Sequence, residues 1–245
     1  LTVVCAGCAG SSTAPQAGSS SSSAPASPGS MTITEHYAPT IEPSGFSTTI
    51  TNPYFPLTPG TRMIYEADTS DGLQRTTTEV THDIKNVMGV DTVVVHDTVS
   101  LDNKPIEDTV DWYAQDRDGN VWYFGEATKA FKDGAIETAG SFEGGVNGAL
   151  PGIIMPGHPQ IGDQYREEYA RGVAEDAAEV VSLTGSENTP LTGSAKHLLV
   201  IKDTNLLDPT GPAENKYYAS GVGRILTVPV SGSPERDQAA KLEKF

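Results

Sequence analysis

The sequence predicts a mostly β protein, a curved antiparallel sheet of half-barrel or sandwich-like form with little helix. Beyond residue 46, short segments rich in Val, Ile, Thr and Tyr alternate with clusters of Gly, Pro, Asn and Asp, which is typical of strands separated by turns. Asp-Gly pairs at 71–72, 118–119 and 133–134 indicate successive hairpins. Long amphipathic helix patterns are missing from the same region.

The strands follow one another closely enough to form a meander that curls to bury one face. The segments predicted as strands, in chain order, are 62–67, 74–81, 92–101, 105–115, 120–126, 164–170, 173–183, 197–202, 216–219 and 224–230. The stretch 175–181 is the best helical candidate, because Ala177 and Ala178 weaken a strand assignment there.

The first residues resemble the end of a bacterial lipoprotein signal. Residues 1–4 are apolar, and Ala6-Gly7-Cys8 resembles the lipobox, a pattern that ends in small residues and a cysteine. Cys5 stands at the third position before Cys8, where the lipobox usually has Leu. The resemblance implies that the chain is cut before Cys8 and diacylated there. A secretory signal with an unmodified Cys8 is the alternative.

A flexible segment follows, because residues 9–30 are almost all Ser, Ala, Gly, Pro and Thr. We therefore predict a signal remnant and lipobox at 1–8, a disordered tether at 9–40, and a single β-rich extracytoplasmic domain at 41–245. The expected location is the outside of a cell membrane or an outer membrane, with the lipid as the membrane contact. The only cysteines precede the predicted domain, which therefore has no disulfide and no thiol chemistry.

The charge balance limits the possible partners. The chain of 245 residues has 32 acidic and 16 basic residues and a formal net charge of -16. Nucleic-acid binding needs Lys and Arg to displace counterions, so this composition argues against nucleic acid. It also argues against electrostatic docking on anionic lipid headgroups. One acidic run, at 167, 168, 175, 176 and 179, is interpreted as a solvated face.

The segment 140–160 differs from the rest of the chain, because Gly and Pro interrupt it throughout. It still carries apolar residues, including Ile153 and Met155, which are unfavourable in water. We expect a long irregular loop that packs over an open sheet edge or over the mouth of the curled sheet. There it could shape a ligand cavity or act only as a structural plug.

The central hairpin has a turn that the sequence defines well. Residues 116–119 fit a type I turn, with Asp in the first and Gly in the fourth position. A three-residue hairpin loop with a bulge would then place Trp112 opposite Phe124 and Val110 opposite Glu126. With a two-residue turn, Asp111 would oppose Glu126 instead.

In the first register, an apolar face of the hairpin holds two carboxylates. The residues of this face that we expect to contact a ligand are Asp108, Trp112, Trp122, Phe124 and Glu126. Two buried carboxylates need a shared proton, a cation or basic partners. The acids form a functional pair or a small metal site if they converge. They are only solvated strand-end residues if they do not.

Three stretches resemble a group of uncharacterised bacterial secreted lipoproteins. The residues that carry the resemblance are Asn52-Pro53-Tyr54-Phe55-Pro56-Leu57-Thr58-Pro59-Gly60-Thr61 with Tyr65, the hairpin residues 111–116 and 119–126, and Tyr217-Tyr218-Ala219-Ser220-Gly221-Val222-Gly223. The resemblance implies a curved antiparallel half-barrel, of a kind that in some proteins carries lipids or lipoproteins. It implies no particular activity.

No complete catalytic, metal or nucleotide motif occurs. The histidines form no His-x-His or His-x-x-x-His pair, and neither a Gly-x-Ser-x-Gly elbow nor a phosphate-binding glycine loop is present. We therefore expect no cofactor and favour a non-catalytic protein that binds a lipid or other apolar or amphiphilic small molecule. Its predicted contacts are the five hairpin residues together with Ile153 and Met155. The alternatives are an adaptor of the cell envelope without a small ligand, and a carboxylate-dependent hydrolase using Asp108 and Glu126.

Overall fold

The structure is a computed structural model, and it describes residues 31–34, 36–231 and 234–245. The predicted signal remnant, Cys8 and the first part of the predicted tether lie outside the described residues. Within these ranges no helix is long and apolar enough to cross a membrane.

The described residues form one short 3-10 helix, Pro43–Gly45, and strands that belong to a 16-stranded sheet. The strands are β1 (Phe46–Ser47), β2 (Thr61–Thr69), β3 (Gly72–Val87), β4 (Val90–Leu101), β5 (Lys104–Asp116), β6 (Val121–Lys132), β7 (Ala135–Glu137), β8 (Phe142–Glu143), β9 (Leu150–Met155), β10 (Gln164–Arg166), β11 (Glu168–Tyr169), β12 (Asp176–Thr189), β13 (Gly193–Asn205), β14 (Glu214–Ala219), β15 (Gly223–Pro229) and β16 (Asp237–Lys244).

Two antiparallel meanders build the sheet. One runs from β2 to β6 and the other from β12 to β16, and each strand pairs with the next in the sequence. The last strand, β16, joins them by pairing with β2, where Lys244 lies opposite Thr61. The prediction of a mostly β, curved antiparallel sheet is confirmed.

A short segment almost closes the sheet on itself. In the stretch 164–169, β10 pairs with β12 at one edge of the sheet, and β11 pairs with β9, which lies beside β6 at the other edge. Gly152 of β9 allows this approach, because a Cβ there would lie 2.4 Å from the carbonyl carbon of Glu167. The result is a barrel-like ring of strands with an inner and an outer face.

The main hydrophobic core lies on the inner face. Alternate residues of β5 and β6, such as Tyr113, Val121 and Tyr123, point inwards, where Met155 and Leu199 are fully buried. The rings of Tyr113 and Tyr123 stack with their centroids 5.0 Å apart. A second, smaller cluster covers part of the outer face beneath the N-terminal segment.

Residues before position 41 also pack against the sheet, although the sequence suggested a tether as far as residue 40. The backbone N–H of Met31 donates to Asp163 Oδ1 at 2.9 Å, and the Tyr37 hydroxyl donates to the carbonyl of Pro151 at 2.8 Å. The ring of Tyr37 also meets the ring of Tyr169 edge-on at 5.6 Å. These contacts make Met31 and Tyr37, both within the predicted tether, part of the packed chain.

The structure differs from the predicted elements in three places. The helical candidate 175–181 is wrong, because these residues lie mainly in β12, where Ala177 and Ala178 are buried between neighbouring strands. The segment 140–160 is not wholly irregular, since it contains β8 and β9 and extends the open edge of β6. Strand β16 was not predicted, because its polar sequence becomes a strand only by pairing with β15 and β2.

Candidate functional site

A β-bulge decides which side chains of the central hairpin face inwards. The turn forms as the sequence indicates, with the Asp116 N–H donating to the Asn120 carbonyl at 2.9 Å. Further along, Trp112 lies opposite Gly125 instead of Phe124, so Glu126 lies opposite Asp111. Gly125 has a φ of 134°, and a Cβ at this position would lie 2.3 Å from the carbonyl oxygen of Phe142 in β8. Any other residue would therefore be strained there.

The bulge separates the two carboxylates that were predicted to share a face. Asp108 is half-buried and contacts His96 Nε2 at 3.0 Å and Lys129 Nζ at 3.9 Å. Glu126 is turned to the inner face beside Asp111. The predicted pairing of Asp108 with Glu126 is therefore wrong, because the register shift moves Glu126 to the other face of β6.

The aromatic residues predicted to contact a ligand do share a face, and it is the outer one. Trp112 and Phe124 are buried there with Trp122 beside them, under Phe46 of β1. The Phe46 ring lies 5.4 Å from the Phe124 ring and 6.0 Å from the Trp122 ring, both edge-on. The Trp122 Nε1–H donates to Asp116 Oδ2 at 2.8 Å, which ties this cluster to the turn.

The two predicted residues of β9 lie among the packed residues around the inner core. Met155 is fully buried in the core and Ile153 packs against it. Their neighbour Ile154 is the β9 residue that lines the internal cavities.

The inner face encloses a first cavity of about 120 Å³. Most of its wall is apolar, with Phe55, Leu57, Met63, Val80 and Val95 among the lining residues. Its polar lining includes two cations, which are paired with carboxylates. Lys216 forms an ion pair with Asp203, and Arg224 Nη1 lies 2.8 Å from Asp237 Oδ2.

A second cavity of about 380 Å³ lies further along the same face. It shares Ile154 with the first cavity. Tyr113 lines the first cavity and Glu107 the second, and six residues of one strand span roughly 20 Å. The two cavities therefore lie one after the other along the inside of the sheet, with Ile154 in the wall of both.

Carboxylates dominate the second cavity. Those that line it are Glu107, Glu126, Glu167, Glu168 and Asp176, and none of the described lining residues is Lys, Arg or His. Burial is the largest cause that raises the pKa of each of these five carboxyls. The cavity is therefore an acidic chamber without a basic side chain in its described wall.

A single tyrosine hydroxyl joins two of the buried acids. The Tyr123 oxygen lies 2.6 Å from Asp111 Oδ1 and 2.7 Å from Glu126 Oε2. A phenol has one hydrogen and can donate it to only one of them, so the other bond needs a carboxylic acid that donates to the phenol oxygen. Burial and the negative charges of Asp97 and Glu126 raise the pKa of Asp111 well above its ordinary value. Burial also raises the pKa of Glu126, so the two acids together hold the second proton of this group.

Glu167 is the most deeply buried acid of the chamber wall, at 4% exposure. Its Oε1 has no hydrogen-bond partner. Burial, followed by the negative charge of Asp203, raises the pKa of Glu167 to about 8, and the ammonium of Lys216 opposes this rise. Near neutral pH this carboxyl therefore carries a proton for most of the time.

A third cavity of about 350 Å³ is lined by Trp112 and Phe142 and shares Glu126 and Val173 with the acidic chamber. The Lys85 ammonium lies 3.3 Å from the centre of the Trp112 ring. Of the three aromatic residues predicted to contact a ligand, Trp112 is the one that lines one of these three cavities.

Sequence analysis did not identify most acids of the chamber, for two reasons: the acidic run was taken as exposed, and the alternation along β5 was not used. The run containing Glu167 and Glu168 was interpreted as a solvated face, and both side chains are buried. On β5, Glu107 and Asp111 alternate with outward residues at a period of two, which is the signal that could have placed them on the inner face.

Known proteins give little guidance. No family model matches the chain. No curated protein matches it either. Two solved structures are similar. One is a proposed exported protein with a YmcC-like fold from Bacteroides fragilis, with 15% identity and a TM-score of 0.46, covering 78% of this chain and 99% of that chain. The other is a proposed lipoprotein from Parabacteroides distasonis, with 10% identity and a TM-score of 0.40, covering 78% and 98%. At this level of similarity neither protein assigns this chain to a family or a function.

Proposed function

We propose that this protein is an exported, lipid-anchored binding protein that takes a small amphiphilic molecule into the inside of its curled sheet. The observation that carries the proposal is the pair of cavities on the inner face, which share Ile154 as a lining residue. One is mainly apolar and the other acidic, so together they match a molecule with an apolar part and a polar head.

The size of the space agrees with a ligand of this kind. The two cavities measure about 120 and 380 Å³, and small-molecule sites usually measure ~300–1,000 Å³. Burial of an apolar chain against Phe55, Leu57 and Met63 would supply affinity at ~25 cal/mol per Å² of apolar surface. The polar head would fix the orientation.

The proposed location rests on the sequence of the N-terminus. Ala6-Gly7-Cys8 resembles a lipobox, and a Ser-rich segment separates it from the sheet. A lipid on Cys8 would hold the binding domain at a membrane surface outside the cytoplasm, where an amphiphile could be received from the membrane.

The test is native mass spectrometry of the full chain, isolated from the membranes of the organism that makes it, before and after extraction with organic solvent. An additional mass that extraction removes is the expected result, and its fragmentation identifies the ligand. A clean protein mass in both samples, with no shift on addition of decylammonium, decanol or decanoate, would overturn the proposal and favour an adaptor role.

A further inference from the structure

We infer that the acidic chamber receives an organic cation, so that the amphiphile bound by this protein carries a primary ammonium head. This inference rests on the proposed function and names the chemical class of its ligand.

The negative charge of the chamber wall is not balanced by a basic side chain among its described lining residues. Five carboxyls surround a space of about 380 Å³, and Lys216, whose charge acts on Glu167, already forms an ion pair with Asp203. Carboxylates that share a buried site cannot all ionise without a proton or a cation to compensate them. A bound ammonium would supply that compensation from the ligand.

The wall also contains an unsatisfied hydrogen-bond acceptor. Glu167 is 4% exposed, lines the chamber, and has no hydrogen-bond partner at Oε1. An acceptor buried in this way destabilises the fold, and more strongly if it is charged, until a donor reaches it. An ammonium has three N–H donors, and its positive charge favours the ionised form of Glu167, whose oxygens would then accept from it.

The spacing of the carboxyls fits an organic cation better than a metal ion. Among the described residues, no three His, Cys, Asp or Glu side chains are arranged to hold one metal ion. A calcium ion needs six to eight oxygens at ~2.3–2.6 Å, whereas these carboxyls are spread around a chamber wide enough for a larger group. Ile154, Ala174 and Val173 also lie in the wall, and they would pack against the carbon atoms next to an ammonium.

The experiment compares three probes with the same ten-carbon chain by isothermal titration calorimetry at pH 7, below their aggregation concentrations. The probes are decylammonium, decanol and decanoate, and the protein is the full chain after organic extraction. We expect decylammonium to bind at least ten-fold more tightly than decanol and decanoate. Equal affinity for decanol would overturn the ammonium head and leave amphiphile binding intact. Failure of all three to bind would overturn the inference, and native mass spectrometry of the unextracted protein then decides the proposed function separately.

A pair of carboxamide variants tests the chamber directly. The double variant Glu126→Gln with Glu168→Gln removes two carboxyls that would ionise beside a bound ammonium. We expect it to weaken decylammonium binding at least ten-fold, while decanol binding changes less than two-fold. Glu137→Gln, on the exposed strand β7, is the matched control and should change neither affinity. If the double variant fails to fold, as judged by circular dichroism, Glu168→Gln alone replaces it, with an expected loss of at least three-fold. Unchanged decylammonium affinity in a folded chamber variant would place the cation elsewhere.

Discussion

Glu167→Gln should make the protein more stable at alkaline pH and leave its stability nearly unchanged at acid pH. Glu167 is buried in the wall of the acidic chamber, and its Oε1 has no hydrogen-bond partner. Its pKa is raised from 4.5 to about 8, first by burial and then by the charge of Asp203. Glutamine has nearly the same shape and cannot ionise, so the variant removes the titration and little else.

The sign and size follow from proton linkage. Between pH 4.5 and about 8 the folded protein holds a proton on Glu167 that the unfolded chain has released, so the free energy of unfolding falls as pH rises. The contribution of the Glu167 proton to the free energy of unfolding is fully present below pH 4.5 and is lost as pH rises through about 8. A tenfold change in proton affinity is worth ~1.4 kcal/mol, so the loss from this carboxyl reaches at most roughly 5 kcal/mol.

The assay is urea unfolding of the parent and Glu167→Gln proteins at pH 5, 7 and 9, followed by tryptophan fluorescence. The difference in unfolding free energy should grow in favour of the variant from pH 5 to pH 9. The hydrogen bonds of the new amide can add a pH-independent amount to the difference in unfolding free energy. The test is therefore the change in this difference between pH 5 and pH 9. Glu137→Gln, on exposed β7, should track the parent at every pH. A difference that stays constant or shrinks with rising pH would refute the raised pKa.

Further substitutions test the packing around the cavities, each by urea unfolding at pH 7. Gly125→Ala should cost about 3 kcal/mol or more, because its φ is 134° and the new Cβ would lie 2.3 Å from a carbonyl oxygen of β8. Gly134→Ala, at a φ of 79° with open space around it, should cost only about 1 kcal/mol. Lys216→Met should cost about 3–5 kcal/mol, because Asp203 loses its buried partner, and adding Asp203→Leu should recover most of the loss. Tyr123→Phe should cost about 1–3 kcal/mol, because it removes the hydroxyl that joins two buried acids.

Each of these expectations has an outcome that contradicts it. Equal losses for the two glycine variants would mean that the approach of β8 imposes no steric limit. A Lys216→Met protein as stable as the parent would show that Asp203 is neutral or solvated in the fold. An unchanged unfolding free energy for Tyr123→Phe would mean that water replaces the phenol between the acids.

The fold class could be predicted because strand and turn signals are local. Alternating apolar residues and Asp-Gly pairs identified most strands of both meanders, and the turn at 116–119 formed as its sequence indicates. Pairing between distant parts of the chain has no such local signal. Strand β16 has a polar sequence, and only its position between β15 and β2 makes it a strand.

The site was harder to predict because one residue changed the register. A three-residue turn predicts Glu126 opposite Val110, and a two-residue turn predicts it opposite Asp111. The opposition to Asp111 is the one observed, and the bulge at Gly125 produces it rather than the turn. Gly125 itself was the signal, since an isolated glycine in a strand often marks a bulge. The burial of Glu167 depends on β10 and β11 closing the sheet, which no local pattern in an acidic run reveals.

The segment 164–169 also determines how a molecule could reach the interior. The strand pairing of this segment is short, with β12 along Gln164–Arg166 and with β9 along Glu168–Tyr169, and backbone hydrogen bonds to β12 at Gly162, Asp163 and Glu167 add to it. Strands β12 and β13 pair over most of their length. Local opening of a folded protein favours the regions with the fewest backbone hydrogen bonds to break. Amide hydrogens of this segment should therefore exchange with solvent faster than those of β12 and β13. The segment that completes the ring would then also be the route by which a ligand enters and leaves. Exchange would need only brief local opening of residues 164–169, while the two meanders remain folded.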